Sequence, residues 1–135
     1  MKKTKLKKVS KQPISKIQRK LWELCKQITR ATYPNICYTC GATGLTGSNL
    51  QTGHMIAKAS LGAYLKYDLR ILRNQCMRCN IHQGGRGADF IENMRKIEGN
   101  KYVNQILKDR NITIKAYDHY LSLLQKYDKI LKERL

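Results

Sequence analysis

Two Cys-x-x-Cys pairs stand in the middle of this 135-residue chain, Cys37-Tyr-Thr-Cys40 and Cys76-Met-Arg-Cys79, with 35 residues between them. Two such pairs can place four thiolates around one Zn²⁺ as a tetrahedron, and that geometry leaves no position open for a substrate. The spacing therefore predicts a structural zinc site, whose metal would contribute directly to folding. An iron–sulfur cluster, which uses the same four ligands, is the alternative.

A histidine and an asparagine lie where closure of the zinc site would bring them together. His54 falls between the two pairs, and Asn80 follows the last cysteine directly. A neutral imidazole can take the proton from an attacking water, while one divalent cation stabilises charge that builds on a phosphate and on the leaving oxygen. These residue types suit phosphodiester hydrolysis. The alternative for His54 is a packed strand residue without a chemical role.

The charge of the chain points to a polyanionic partner. The sequence carries 27 Lys and Arg against 9 Asp and Glu, a formal net charge of +18, and such a surface attracts nucleic acid. Membrane headgroups are a rival polyanion, but no apolar run approaches the roughly 18 residues that span a bilayer. No apolar h-region follows the basic N-terminus, so we expect no signal peptide. The odd number of cysteines and their Cys-x-x-Cys pairing suit a reducing compartment. We therefore expect an intracellular protein that does not enter a membrane.

Basic residues near the proposed centre are candidates for phosphate contacts, which position DNA without reading its sequence. Arg86 belongs to the Gly-Gly-Arg-Gly run at residues 84–87. That run is either a helix-breaking turn or a loop whose exposed amides approach a phosphate. The candidate DNA contacts are Lys58, Lys66, Arg70, Arg73, Arg78 and Arg86.

The middle third of the chain has the short apolar periodicity of strands and turns, and helices are predicted on either side of it. These helices must position the candidate residues. Apolar residues recur every three or four positions from Ile14 to Ile28, which predicts a helix that ends before Pro34. Cys25 belongs to that apolar stripe and is predicted to be a core residue rather than a reactive thiol. Strands are predicted over residues 50–57 and 64–72.

Three more helical stripes follow the glycine run, so the pattern predicts an α+β fold. Nine Lys or Arg and no acid within residues 1–20 predict a flexible basic arm over residues 1–13. The core is predicted over 14–110 and a C-terminal helix over 111–135. The apolar face of residues 114–131 either forms a homodimer or covers the core.

The residues around the cysteines resemble those of a known family. The series CYTCG, then GHMIAKASLGAYLKYDLRILRNQCMRCNIHQGG, lies within about residues 33–110. It is similar to the phage NinG/Rap recombination endonucleases, a zinc-containing branch of the HNH nucleases. The resemblance implies a zinc-stapled HNH (ββα-metal, treble-clef-like) core with flanking α-helices.

The resemblance also implies a role for each matching residue. His54 would be the general base, and Asn80 would ligate a catalytic Mg²⁺ or Mn²⁺. Asp68 or His82 would complete the ligand set of that metal, although His82 could instead cap a helix or contact a phosphate.

Two positions depart from the family pattern. Gly53 stands where many members have a carboxylate or histidine ligand. Ile71 stands where the middle Asn of the motif is expected, and Asn74 lies three residues away.

By this resemblance the chain is a structure-specific endonuclease of phage recombination, acting on Holliday junctions and D-loops in the cytoplasm of the bacterial host. The two departures favour an alternative, a non-catalytic zinc-containing adaptor that binds nucleic acid. A protein-interaction domain whose charge serves only solubility is a third interpretation.

Overall fold

The chain folds into helices around one small antiparallel sheet. The computed structural model describes residues 12–134, so residues 1–11 of the predicted basic arm lie outside the described residues. Its architecture is α+β, as the pattern predicted, whereas the HNH-type core stays a prediction. None of the described helices is long and apolar enough to cross a membrane. The elements are α1 (Ile14–Thr32), β1 (Gln51–His54), α2 (Ala63–Lys66), β2 (Leu72–Gln75), α3 (Gly87–Glu98), α4 (Asn100–Asp109) and α5 (Ala116–Arg134).

α1 supports the rest of the fold, and the predicted helix is confirmed. It ends where Tyr33 takes an extended conformation, as expected for a residue that precedes proline. Burial raises the pKa of the Cys25 thiol to about 12, so this cysteine is a protonated core residue, as predicted. The stripe of α1 that faces the core consists of Ile17, Leu21, Cys25 and Ile28, all buried.

α5 packs against α1 and closes the core from outside. Tyr120 and Tyr127 of α5 are buried. The Tyr127 hydroxyl donates a hydrogen bond to the backbone carbonyl of Tyr67 at 2.6 Å, and the Cys25 thiol donates to the same carbonyl at 3.5 Å. The apolar face of the C-terminal helix therefore covers the core, and a homodimer stays a prediction without this face to support it.

The second strand begins later than expected. The prediction of a strand over residues 64–72 is wrong, because that segment forms α2 and a 3-10 turn (Leu69–Ile71) before β2 starts. The Asp68 carboxylate accepts a hydrogen bond from the backbone N–H of Arg70 at 2.9 Å, and such a cap offers the backbone an alternative to strand pairing. β1 lies within the predicted segment 50–57.

The pairing of β1 with β2 requires glycine at position 53. Gln51 lies opposite Gln75, and Gly53 lies opposite Arg73, so the Gln75 side chain leans across Gly53 on one face of the sheet. A Cβ at position 53 would collide with the Gln75 carboxamide. That carboxamide is fully buried. Its Nε2 donates to the Thr39 hydroxyl at 3.0 Å and to the Gly85 carbonyl at 2.9 Å, so it joins the two cysteine loops.

We expect Gly53→Ala to lower the free energy of unfolding by about 1–3 kcal/mol, the usual range for overpacking a core. Gly62→Ala is the matched control, because its Cβ would meet no atom within 4 Å and its φ of −75° suits alanine. Urea unfolding followed by circular dichroism measures both. Equal stability of the two variants would contradict the steric account.

Candidate metal centre and nucleic-acid groove

The four paired cysteines form one compact cluster. Their sulfur atoms all lie within 4.8 Å of one another, and the Sγ atoms of Cys40 and Cys76 are 3.8 Å apart. A tetrahedron with Zn–S bonds of about 2.3 Å has edges of about 3.8 Å. Among residues 12–134 this is the one group of three or more His, Cys, Asp or Glu side chains close enough to hold a metal ion. The cluster could therefore hold zinc as predicted, and such short separations favour a single ion over a cluster.

Local hydrogen bonds shape the first cysteine loop and favour the thiolate form of Cys37, whereas burial raises the pKa of Cys76 to about 12. Gly41, at φ 79°, donates its N–H to the Cys37 carbonyl at 2.9 Å and tightens the first loop. Burial alone would raise the pKa of Cys37. Hydrogen bonds from the Thr39 hydroxyl and nearby backbone N–H groups outweigh burial and lower that pKa to about 6. Thiolates are the form that binds metal.

The Gly-Gly-Arg-Gly run serves the second cysteine loop. Gly84, Gly85 and Arg86 all have positive φ values, and the Gly85 N–H donates to the Cys79 carbonyl at 2.8 Å. The Arg86 guanidinium approaches the Cys79 sulfur at 3.6 Å and pairs with Asp89 at 2.8 Å. Residues 84–87 therefore form a turn, the first of the two predicted alternatives. The Arg86 side chain contacts the cysteine cluster through Cys79.

A chain of amide hydrogen bonds sets the orientation of Asn80. The Gln51 Nε2 donates to the Ser48 carbonyl at 2.9 Å, and a carbonyl can only accept. The Gln51 Oε1 is therefore at the other end of its amide, where it accepts from the Asn80 Nδ2 at 2.8 Å. The Asn80 Oδ1 is the amide atom that this chain leaves for another partner.

His54 ends β1 with its ring stacked on Trp22. The ring centroids are 5.2 Å apart and the ring planes differ by 17°. The imidazole is half-buried, and its Nε2 is buried without a hydrogen-bond partner in the structure. Burial first, and then the Lys58 ammonium, lower the pKa of His54 to about 4. The ring is therefore neutral at pH 7 and can accept a proton.

A groove of about 370 Å³ lies between α1 and the cysteine loops. The ring of His54 stacks on Trp22, and Trp22 lines the groove. The Thr52 hydroxyl in the groove wall is buried without a hydrogen-bond partner. None of the described residues that line it is acidic, so the groove suits an anion. Its lining consists of Trp22, Lys26, Arg30, Gly47, Ser48, Leu50, Gln51, Thr52 and Asn80.

Comparison with known families accounts for the whole chain. The family described as bacteriophage lambda NinG protein matches residues 1–134. The chain belongs to the NinG family. No match was found among curated proteins or among solved structures. The NinG match extends the resemblance from the cysteine region to α1 and α5.

In this NinG protein, Asp68 and His82, two of the predicted metal ligands, are not among the residues that line the groove, and neither is His54. The Asp68 carboxylate is paired with Arg70 at 2.8 Å, and Arg70 also pairs with Asp109 at 3.0 Å. His82 is exposed at the end of a π-helical turn (Arg78–His82). The assignment of Asp68 and His82 to a catalytic metal stays a prediction, and the ion pairs of Asp68 count against it.

Several of the residues predicted to contact DNA bind carboxylates or backbone carbonyls within the NinG chain instead. The prediction for Arg73 is wrong, because its side chain is 1% exposed and cannot reach a phosphate. Its guanidinium lies 4.4 Å from the Tyr33 ring centroid and donates to the Leu72 carbonyl at 2.7 Å. Arg70 is neutralised by two carboxylates, whereas Lys58 and Arg78 are exposed and Lys66 is half-buried. These three stay candidates.

Sequence reasoning missed the contribution of α1 to the groove. Trp22, Lys26 and Arg30 stand four residues apart on one helical face, a spacing that places them on successive turns. The sequence also contains no Asp or Glu from residue 24 to residue 67. Those two signals together could have identified the groove wall, but only the fold shows which face meets the cysteine loops.

We expect one zinc ion per chain by elemental mass spectrometry. Cys76→Ser should lose the zinc and the cooperative unfolding transition, because a tetrahedral site with three thiolates binds far more weakly. Cys25→Ala is the matched control and should retain one zinc, since Cys25 lies in the apolar core. Zinc retention in Cys76→Ser would contradict the four-thiolate site.

The depressed pKa of His54 also predicts how stability depends on pH. An unfolded histidine titrates near pH 6.5, so between pH 6.5 and about 4 the unfolded chain binds the proton and the folded chain does not. The His54 contribution is therefore complete above pH 6.5 and is lost as the pH falls toward 4. We expect wild type to lose about 2 kcal/mol more than His54→Gln between pH 7 and pH 5.

Urea unfolding at the two pH values measures this difference, and the zinc site is common to both proteins. The matched control is His82→Gln, which removes an exposed histidine and should keep the wild-type loss. If His54→Gln and wild type respond equally to pH, the imidazole is not buried as described.

Proposed function

We propose that this NinG protein is a structure-specific DNA endonuclease of phage recombination that hydrolyses phosphodiester bonds in branched DNA, such as Holliday junctions and D-loops. One observation carries the proposal: a neutral His54 with an unpartnered Nε2 stacks on Trp22, which lines an acid-free groove together with Asn80. We propose that it acts on DNA in the cytoplasm of the bacterial host.

In this proposal His54 is the general base. Its Nε2 takes a proton from the attacking water, and the products carry a 5′-phosphate and a 3′-hydroxyl. A pKa of about 4 makes a weak base, but the negative charge of an entering phosphodiester raises the pKa of a neighbouring imidazole. Substrate binding would therefore strengthen the base at the moment it is needed.

Asn80 is the residue that would hold Mg²⁺ or Mn²⁺ in this proposal. Its Oδ1 is left unused by the amide chain, and both cations prefer oxygen ligands. When bound, the cation stabilises negative charge on the phosphate. Since the described lining residues include no carboxylate, phosphate and water oxygens would have to supply most of the remaining ligands.

Kinship with the HNH nucleases rests on the order of the parts. His54 ends the first strand of an antiparallel pair, and Asn80 follows the second strand and the last cysteine. Asn74 lies opposite Thr52, so it is on the same face of the sheet as His54 but one pair away from it. Its Nδ2 donates to the Pro34 carbonyl at 3.0 Å, so Asn74 ties β2 to the chain that follows α1.

A second candidate function, a non-catalytic zinc-containing adaptor that binds nucleic acid, is favoured by one specific observation. The Gln75 carboxamide fills the space where a ligand side chain at position 53 would lie. With the groove also lacking carboxylates, a cation would be held weakly without substrate. The two functions share the fold and the charge and differ in the chemistry at His54 and Asn80.

We expect zinc-loaded wild type to cleave a synthetic four-way junction in the presence of Mg²⁺ or Mn²⁺. Loss of a general base costs about 10²–10⁴-fold in rate, so His54→Ala should be slowed by at least the lower figure. Asn80→Ala should be slowed similarly, whereas the control His119→Ala, whose ring stacks on Tyr64 and does not line the groove, should remain within a few-fold of wild type. Gel electrophoresis of end-labelled strands measures the rates.

The adaptor function has a different signature in the same experiment. Wild type would bind the junction tightly and leave it intact with either cation, and His54→Ala would bind equally well. Manganese titration then separates the cases further, because the nuclease requires a weak second metal site that Asn80→Ala removes. Uncut junction together with no second site would exclude the endonuclease.

A further inference from the structure

We propose that α1 forms the binding surface for the phosphate backbone of the substrate strand, with Lys26 and Arg30 as the contacting residues. The proposal rests on the proposed function only for the identity of the polyanion as DNA. It moves the main phosphate contacts away from two of the residues that the sequence suggested, Arg70 and Arg73, to the helix that forms one wall of the groove.

The two cations lie one helical turn apart and line the same groove. A separation of four residues corresponds to about 6 Å along the helix axis, so both side chains can contact a single strand. Trp22 lies one turn further toward the N-terminus, and its ring stacks on the ring of His54. A strand that follows Lys26 and Arg30 is therefore led toward the imidazole.

The charges of this wall are weakly compensated. Arg30 is exposed and donates to the Leu50 carbonyl at 3.2 Å, a neutral partner. Lys26 pairs with Glu23 at 2.6 Å, but Glu23 is itself 56% exposed, and an exposed pair of this kind contributes little and is readily exchanged. A phosphate can therefore bind both cations without first breaking a buried ion pair.

Arg73 of β2 and Arg70 in the turn before it lack this freedom. Arg73 is buried beneath Tyr33 and Tyr38, and Arg70 is held by Asp68 and Asp109. Within residues 24–88 Asp68 is the sole acidic residue in the sequence, and Arg70 neutralises it. The positive potential of the middle third is thus left to the side chains on α1 and to a few exposed lysines and arginines.

A second, independent observation points to a ligand in the groove. Thr52 lines it and is 5% exposed, and its hydroxyl is buried without a hydrogen-bond partner. Buried hydroxyl groups nearly always have a partner. A phosphate oxygen held by Lys26 or Arg30 would accept this hydrogen bond, which a planar base or an apolar side chain would do less well.

The test compares two double variants that remove the same charge. Lys26→Gln with Arg30→Gln alters the groove wall, whereas Arg19→Gln with Lys20→Gln removes two exposed cations that line a separate cavity between α1 and α5. Binding to a fluorescent four-way junction is followed by anisotropy over a range of salt concentrations. No Mg²⁺ or Mn²⁺ is added, so binding is measured without cleavage.

Each lost contact with duplex phosphate lowers the slope of log K against log salt by about 0.9. We therefore expect the groove variant to lose about 1.8 from the slope and to bind the junction at least tenfold more weakly. The control should change the slope by less than half as much. Equal effects of the two variants would overturn the proposal, because the binding would then follow net charge alone.

Trp22 supplies a second readout, because it is the single tryptophan of the chain and it lines the groove. Junction binding should change the tryptophan emission of wild type and of the control variant at the concentrations where anisotropy changes. Unchanged emission at saturation would overturn the proposal. Zinc content and circular dichroism check that each variant is folded.

The outcome is independent of the nuclease assay. A protein that binds through α1 and cuts nothing would support this surface and exclude the endonuclease. A protein that cuts junctions but shows equal slopes for both double variants would keep the endonuclease and remove α1 as its phosphate surface.

Discussion

Convergence of the two cysteine loops is the constraint on which the rest of the structure depends. Four sulfur atoms come within 4.8 Å of one another from segments 35 residues apart, and the Gln75 carboxamide joins the same two loops from inside the sheet. The pairing of β1 with β2, the glycine at position 53 and the orientation of Asn80 all follow from that closure. A sheet of two four-residue strands could not hold this geometry alone.

The scarcity of acidic residues determines which ligands the groove beside the cysteine loops can bind. Between Glu23 and Asp89 the sequence has one carboxylate, and Arg70 neutralises it. A groove with cations on one wall and amides on the other therefore forms beside a histidine that burial keeps neutral. The same lack of carboxylates leaves few ligands for a catalytic cation. The groove therefore favours anion binding, and the proposed metal-dependent chemistry would need the substrate to supply most of the metal ligands.

Local sequence patterns predicted much of this fold because the interactions behind them are local. The two cysteine pairs, the α1 stripe and the buried Cys25 were all identified from spacing. The segment 64–72 was not, since its alternation of apolar and polar residues fits a short helix and turn as well as a strand, and the Asp68 cap decides between them. The burial of Arg73 was also beyond the sequence, because charge alone does not show that two tyrosine rings and backbone carbonyls surround it.

The contact between α5 and α1 has a consequence for the opposite side of the molecule. The Tyr67 carbonyl accepts hydrogen bonds from both Cys25 of α1 and Tyr127 of α5. α5 therefore packs against the buried face of α1, and the other face of α1 lines the groove. A truncated chain without α5 would retain every cysteine, His54 and Asn80, yet one wall of the groove would have lost its support. Distance along the chain is therefore a poor guide to which residues support the groove.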